Sequence, residues 1–134
     1  MRCSRCMTLR SLLVDDNSRF LAAARELLER EGLEVAGIAS TIDDAIRIAA
    51  ALRPDVCLVD IDLGDESGFD LARELAQAGH QSPKIILISA YPERDFADMI
   101  ADSPAIGFLP KPEISARRIC AMLGGDGGDE PPLG

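Results

Sequence analysis

Asp15 and Asp16 stand side by side just after an apolar run, and a third carboxylate, Asp60, closes a second run, Val56-Cys57-Leu58-Val59. Ser89 closes a third, Ile85-Ile86-Leu87-Ile88, and Lys111 follows a fourth, Ala105 to Leu109, after one proline. Short apolar runs bounded by polar residues read as buried strands. Parallel strands of one open sheet present their C-terminal ends along a single edge, where such sheets bind ligands. On that arrangement three carboxylates, a hydroxyl and an ammonium meet. One like-charged pair at about 4 Å costs roughly 1 kcal/mol in water and about 4 kcal/mol at an effective dielectric of 20. The cluster must therefore raise a pKa, bind a cation or meet a lysine. Oxygen donors with room left for water and phosphate suit Mg2+ better than Ca2+, and zinc would want His or Cys ligands that these strand ends lack. A carboxylate beside a divalent ion, a lysine and a hydroxyl can attack a phosphoryl group and become an acyl phosphate.

The elements that must carry these residues follow from periodicity. Residues 9–14 read as the first strand, Asn17 as an N-cap, and Phe20, Leu21, Ala24, Leu27 and Leu28 as one face of a helix that Gly32 stops. Val35 to Ala39 is a second strand. Ser40 or Thr41 caps a second helix, which Pro54 ends. The third strand, 56–59, leads through a loop rich in Gly and acids to a helix starting near Ser67 and running to Gly79. The fourth strand precedes a weak, acid-rich helix over 93–102. The fifth strand, 105–109, precedes a last helix over 113–123. Five strands alternating with five helices predict an α/β domain with a parallel sheet covered on both faces.

Length and composition narrow the classes. The 134 residues suffice for one domain, and 47% hydrophobic with 28% charged residues is ordinary globular composition. A net charge of −9 repels nucleic-acid phosphates and anionic membranes, so neither is expected as a partner. No apolar run is long enough to span a bilayer, and no apolar segment follows the basic N-terminus as a secretory signal requires. The single histidine, His80, makes a Ser-His-Asp site or a His-rich metal site a poor fit and reads as a surface residue. Cys57 and Cys120 read as core residues. Cys3 and Cys6 form a CxxC ahead of the first strand with no further ligands nearby, and Met7 is a candidate natural start. The expected compartment is cytoplasmic. Residues 1–7 are expected to be a disordered extension, 8–123 the folded domain, and 124–134, rich in Gly, Pro and acids, a disordered tail.

In order along the chain, Leu12-Leu13-Val14-Asp15-Asp16-Asn17, Leu58-Val59-Asp60, Gly68, Ile88-Ser89-Ala90 and Gly107-Phe108-Leu109-Pro110-Lys111-Pro112 resemble the receiver domains of two-component response regulators, chemotaxis regulators among them. The resemblance covers about residues 8–123. It implies a flavodoxin-like doubly wound (βα)5 fold, with a five-stranded parallel sheet in the order 2-1-3-4-5. It implies that Asp60 is the phosphoacceptor, and that Asp15, Asp16, Asp60 and the backbone carbonyl of Asp62 hold Mg2+. Ser89 would sense the phosphoryl group, Lys111 would pair with it, and Phe108 would be the switch aromatic. The Lys111–Pro112 bond would be cis. A sensor histidine kinase or phosphotransfer protein would be the donor. The output would be contact with a downstream protein, or a second copy, through the face of helix 4, strand 5 and helix 5. Such a stand-alone receiver catalyses only its own phosphorylation and dephosphorylation.

Two departures carry expectations. The family often has Pro four residues after the phosphoacceptor; Gly64 stands there, predicting a looser loop. Asp62 and Tyr91 occupy positions thought to tune self-dephosphorylation, and an acid at 62 predicts a phosphorylated state that is not especially short-lived. Asp60-Ile61-Asp62 also echoes the DxD of haloacid-dehalogenase-like phosphatases, which carry it on the first strand. The competing class is a receiver-like interaction module that works without phosphorylation.

Overall fold

The structure, a computed structural model, describes residues 9–77 and 82–123. The expectations for Cys3, Cys6, Met7, His80, the N-terminal extension and the 124–134 tail lie outside the described residues. Numbering the strands of the large sheet in chain order, β1 is Arg10–Val14, β2 Glu34–Ala39, β3 Val56–Asp60, β4 Lys84–Ser89 and β5 Gly107–Pro110. They pair in the order β2-β1-β3-β4-β5, every neighbour parallel. The helices are α1 Ser18–Arg30, α2 Ile42–Leu52, α3 Gly68–Ala76, α4 Ala97–Asp102 and α5 Ala116–Met122. This is the doubly wound fold with the predicted strand order.

Both sheet faces are covered, which is why the strands read as continuous apolar runs rather than alternating ones. All of β3 is buried. Side chains alternate between two clusters. Leu12, Val14, Cys57, Val59, Ile85, Leu87 and Phe108 face α2, α3 and α4, with Ala45, Ala49, Leu71, Leu75 and the partly buried Ile100. Leu13, Val56, Leu58, Ile86, Ile88 and Leu109 face α1 and α5, with Leu21, Ala24, Leu28, Ala116 and Ile119. Cys57 and Cys120 are buried. Burial in apolar surroundings pushes the Cys57 thiol up to about 12, so it packs as a small hydrophobe.

Local signals set the helix ends. Asn17 accepts from the Arg19 and Phe20 amides, and Thr41 and Ser67 cap α2 and α3. Gly32 follows α1 at φ 97°, the left-handed region that favours glycine. Three expectations need correction, those for 93–102, the last helix and the Lys111–Pro112 bond. The acid-rich loop after β3 holds a two-stranded antiparallel hairpin of Asp62–Leu63 and Glu66–Ser67. Gly64 sits in its turn at φ 74°, a conformation closed to proline, whose ring holds φ near −65°. The segment 93–102 is a 3-10 turn, Glu93–Asp95, followed by the short α4, and neither buries a residue fully. The last helix starts at Ala116 rather than 113, because Lys111–Glu113 forms a separate 3-10 turn and Ser115 supplies the cap. The described residues contain no cis peptide bond, so Lys111–Pro112 is trans. Pro112 lies in that first 3-10 turn, where its fixed φ and missing N–H are tolerated.

Candidate functional site

The C-terminal edge of the sheet brings the predicted cluster together. Asp15 follows β1, Asp60 ends β3, Ser89 ends β4 and Lys111 follows β5. Asp15, Asp60 and Ser89 are buried while Asp16 is exposed. Oxygens of Asp15, Asp16 and Asp60 lie within 4.8 Å of one another. Lys111 Nζ lies 2.6 Å from Asp15 Oδ2 and 3.1 Å from Asp60 Oδ2, so one ammonium bridges the two buried carboxylates.

Each group is aimed by its own turn. The Asn17 amide donates to Asp15 Oδ1 at 2.9 Å, and the Asp62 amide donates to Asp60 Oδ1 at 3.1 Å. The Ser89 hydroxyl accepts from the Tyr91 amide at 2.9 Å, and the Gly64 amide donates to Asp62 Oδ1 at 3.3 Å. Burial pushes the Asp60 carboxyl up to about 6, and the charge of Asp15 adds to the rise, while the Asp62 amide and Lys111 oppose it. For Lys111, burial pulls the pKa down, but the bonds to Asp15 and Asp60 outweigh it and the ammonium is held above its ordinary value.

Two glycines let the backbone close on the site. A Cβ on Gly68 would stand 2.1 Å from the Asp60 carbonyl oxygen, closer than any real contact. A Cβ on Gly64 would stand 3.1 Å from Asp16 Oδ2. The hairpin therefore packs directly against the carboxylates. Its far strand is anchored to α2, because Glu66 Oε1 accepts from the Ile42 amide at 2.9 Å.

The donor set fits a hard divalent cation. Three carboxylates converge, and the wholly buried Asp15 Oδ2 has the Lys111 ammonium as its partner at 2.6 Å. One ammonium does not offset three carboxylates, and oxygen donors in that number suit a hard divalent ion. Phe108, on β5, is buried in the cluster that Ile100 of α4 packs against, and Tyr91 is exposed. Sequence reasoning placed Asn17 only as a cap and Phe20 only on a helix face. Lys111 Nζ stands 4.4 Å from the Phe20 ring centroid, a contact across 91 positions that no local pattern encodes.

The family model described as the response regulator receiver domain matches residues 12–123. The chain is 28% identical over 103 residues to the transcriptional regulatory protein PdtaR of Mycobacterium tuberculosis (strain CDC 1551 / Oshkosh), covering 77% of this chain and 49% of that protein. The chain thus spans about half the length of that curated relative. Among solved structures it is similar to the signal receiver domain of a modulated diguanylate cyclase from Desulfovibrio desulfuricans G20. The TM-score there is 0.72 at 30% identity, covering 87% of this chain and 91% of that one. It is also similar to a response regulator from Burkholderia pseudomallei solved with a phosphorylated aspartic acid, a calcium ion and citrate. The TM-score there is 0.73 at 29% identity, covering 86% and 66%. With the parallel sheet, the acidic edge and the bridging lysine already in place, the chain belongs to the response regulator receiver domains of two-component signalling.

Proposed function

We propose that the domain spanning 8–123 is a phosphoacceptor in which Asp60 takes a phosphoryl group from a phosphohistidine of a sensor kinase or phosphotransfer protein. The observation that carries this reading is the convergence of Asp15, Asp16 and Asp60 within 4.8 Å around a lysine that touches two of them. The phosphorylated aspartate and calcium ion of the Burkholderia relative support it. The carboxylates of Asp15, Asp16 and Asp60 and the backbone carbonyl of Asp62 would hold Mg2+, which when bound neutralises charge on the transferring oxygens. An Asp60 oxygen attacks phosphorus, an O–P bond forms, and the donor's N–P bond breaks, the imidazole nitrogen keeping the electron pair and taking a proton from solvent. Lys111 pairs with a phosphoryl oxygen in place of the lost carboxylate charge. Ser89 turns its hydroxyl to donate to another.

The output is a change of surface. Ser89 moving inward draws the loop that carries Tyr91, and Phe108 rotates beneath α4. Tyr91, Met99 and Ile106 are exposed around α4 and β5. A downstream protein or a second copy docks on this face with α5.

Beryllofluoride with Mg2+ mimics the aspartyl phosphate and tests the assignment. The wild-type chain is expected to bind it with a change in Tyr91 fluorescence, and to take label from a small phosphodonor such as acetyl phosphate. Asp60→Asn is expected to abolish both. A wild-type chain silent in both assays would overturn the reading and favour a module that works without phosphorylation.

A further inference from the structure

We infer that Phe20 is a positioning residue for Lys111, fixing the ammonium where an incoming phosphoryl group must find it; this rests on the phosphoacceptor reading above. Lys111 Nζ lies over the Phe20 ring, 4.4 Å from its centroid. That distance is well inside the reach of a cation–π attraction. The ring is partly buried and packs against the cluster between the sheet, α1 and α5, so it presents a wall rather than a swinging side chain.

The contact closes a circuit. The Phe20 amide donates to Asn17 Oδ1 at 3.2 Å, and the Asn17 amide donates to Asp15 Oδ1 at 2.9 Å. Asp15 Oδ2 meets Lys111 Nζ at 2.6 Å, and Lys111 returns to the Phe20 ring. Capping of α1, aiming of Asp15 and placement of the ammonium are thus set by one local fold. A lysine is a point charge on a flexible stem, and it needs something to hold it. Two carboxylates hold Lys111 now, but an arriving phosphoryl group competes for the same ammonium. An aromatic face attracts a cation without offering a competing anion. Phe20 therefore keeps the ammonium over the site while leaving its charge for the phosphoryl oxygens.

Phe20→Leu keeps the apolar bulk and loses the ring; Phe20→Trp keeps a stronger ring. With acetyl phosphate and Mg2+, Phe20→Leu is expected to lower the labelling rate about three- to tenfold, and Phe20→Trp to restore it. In a Lys111→Met background, Phe20→Leu should cost nothing further. Equal losses with and without Lys111, or a Trp variant as slow as Leu, would overturn the inference and leave Phe20 as packing. The same four-variant cycle read by urea unfolding tests the contact independently of labelling. Coupling between positions 20 and 111 is expected there, and its absence overturns the inference. A wild-type chain that takes no label, despite coupling in unfolding, would retire both the phosphoacceptor reading and the role assigned to Phe20. Labelling without coupling retires the role of Phe20 alone.

Discussion

Asp60 is held between opposed demands. As the proposed phosphoacceptor it must be ionised to attack phosphorus, yet burial pushes its carboxyl up to about 6, and Asp15 pushes the same way. A folded-state pKa above the unfolded value means that folding takes up a proton. The matching stability is complete below the unfolded value of 3.8 and is lost as pH rises through about 6. The ion-free protein is therefore expected to lose stability from this group between about pH 4 and pH 6, opposite to a carboxylate stabilised by its partners. Asp60→Asn removes the titration. The variant should be more stable than the parent at pH 7.5 by on the order of 2 kcal/mol, with the gap closing toward pH 4. Urea unfolding of both proteins in EDTA across that range checks this. A constant gap, or a less stable variant at pH 7.5, would count against the strained carboxylate. The same strain explains why the site suits a divalent ion, which favours the charged form that burial opposes.

At the scale of elements, the tightest constraint is where the chain returns from the hairpin into α3. The Gly68 amide donates to the Ile61 carbonyl at 2.8 Å, and a Cβ there would meet the Asp60 carbonyl oxygen at 2.1 Å. The obstacle is backbone, not a flexible side-chain tip. Gly68→Ala should cost about 2–4 kcal/mol and displace the turn that carries Asp60. Thermal unfolding reads the first effect; a variant melting with the parent would show that the approach is looser than the geometry demands. Gly68 was visible in the sequence only as a glycine eight residues after Asp60, without its cause. The same holds more widely. Runs such as Ile85–Ile88 and caps such as Asn17, Thr41 and Ser67 could be read because their signals are local. The 62–67 hairpin could not, because two-residue strands have no period to detect. Nor could the carboxylates that cap at long range. Glu66 caps α2 from 24 positions away, and Glu31 accepts from the Ala116 amide across 85. For the site, strand ends foretold Asp15, Asp60, Ser89 and Lys111 together. The Phe20 ring over Lys111 came only from tertiary packing.

Among the described residues the helices that cover the sheet are held to different tightness, and the contrast lies in α4: α3, on the same face, buries Phe69, Leu71, Ala72 and Leu75. On the α1 and α5 side, Leu21, Ala24, Leu28, Ala116 and Ile119 are buried in one cluster. On the other side, α4 and the 3-10 turn before it bury no residue, and they reach the core only through the partly buried Phe96 and Ile100. Segments with little buried apolar surface open at low free-energy cost, and switching elements are drawn from them. Phe108 is buried in the same cluster that Phe96 and Ile100 touch, so the switch proposed for Ser89 and Phe108 would reach the surface where resistance is least. Amides of 93–102 should accordingly exchange with deuterium at least tenfold faster than those of the α1 interior in the unmodified protein. Adding beryllofluoride and Mg2+ should change exchange over 90–106 several-fold while leaving α1 beyond its first turn unaltered, and Asp60→Asn should remove the change. Protection that shifted uniformly over both faces would mean that ligand simply stabilises the fold by mass action. Only a response confined to the loosely held segment around α4 would mark a second conformation with its own docking surface, because a ligand moves an equilibrium no further than the difference in its affinity for the two states.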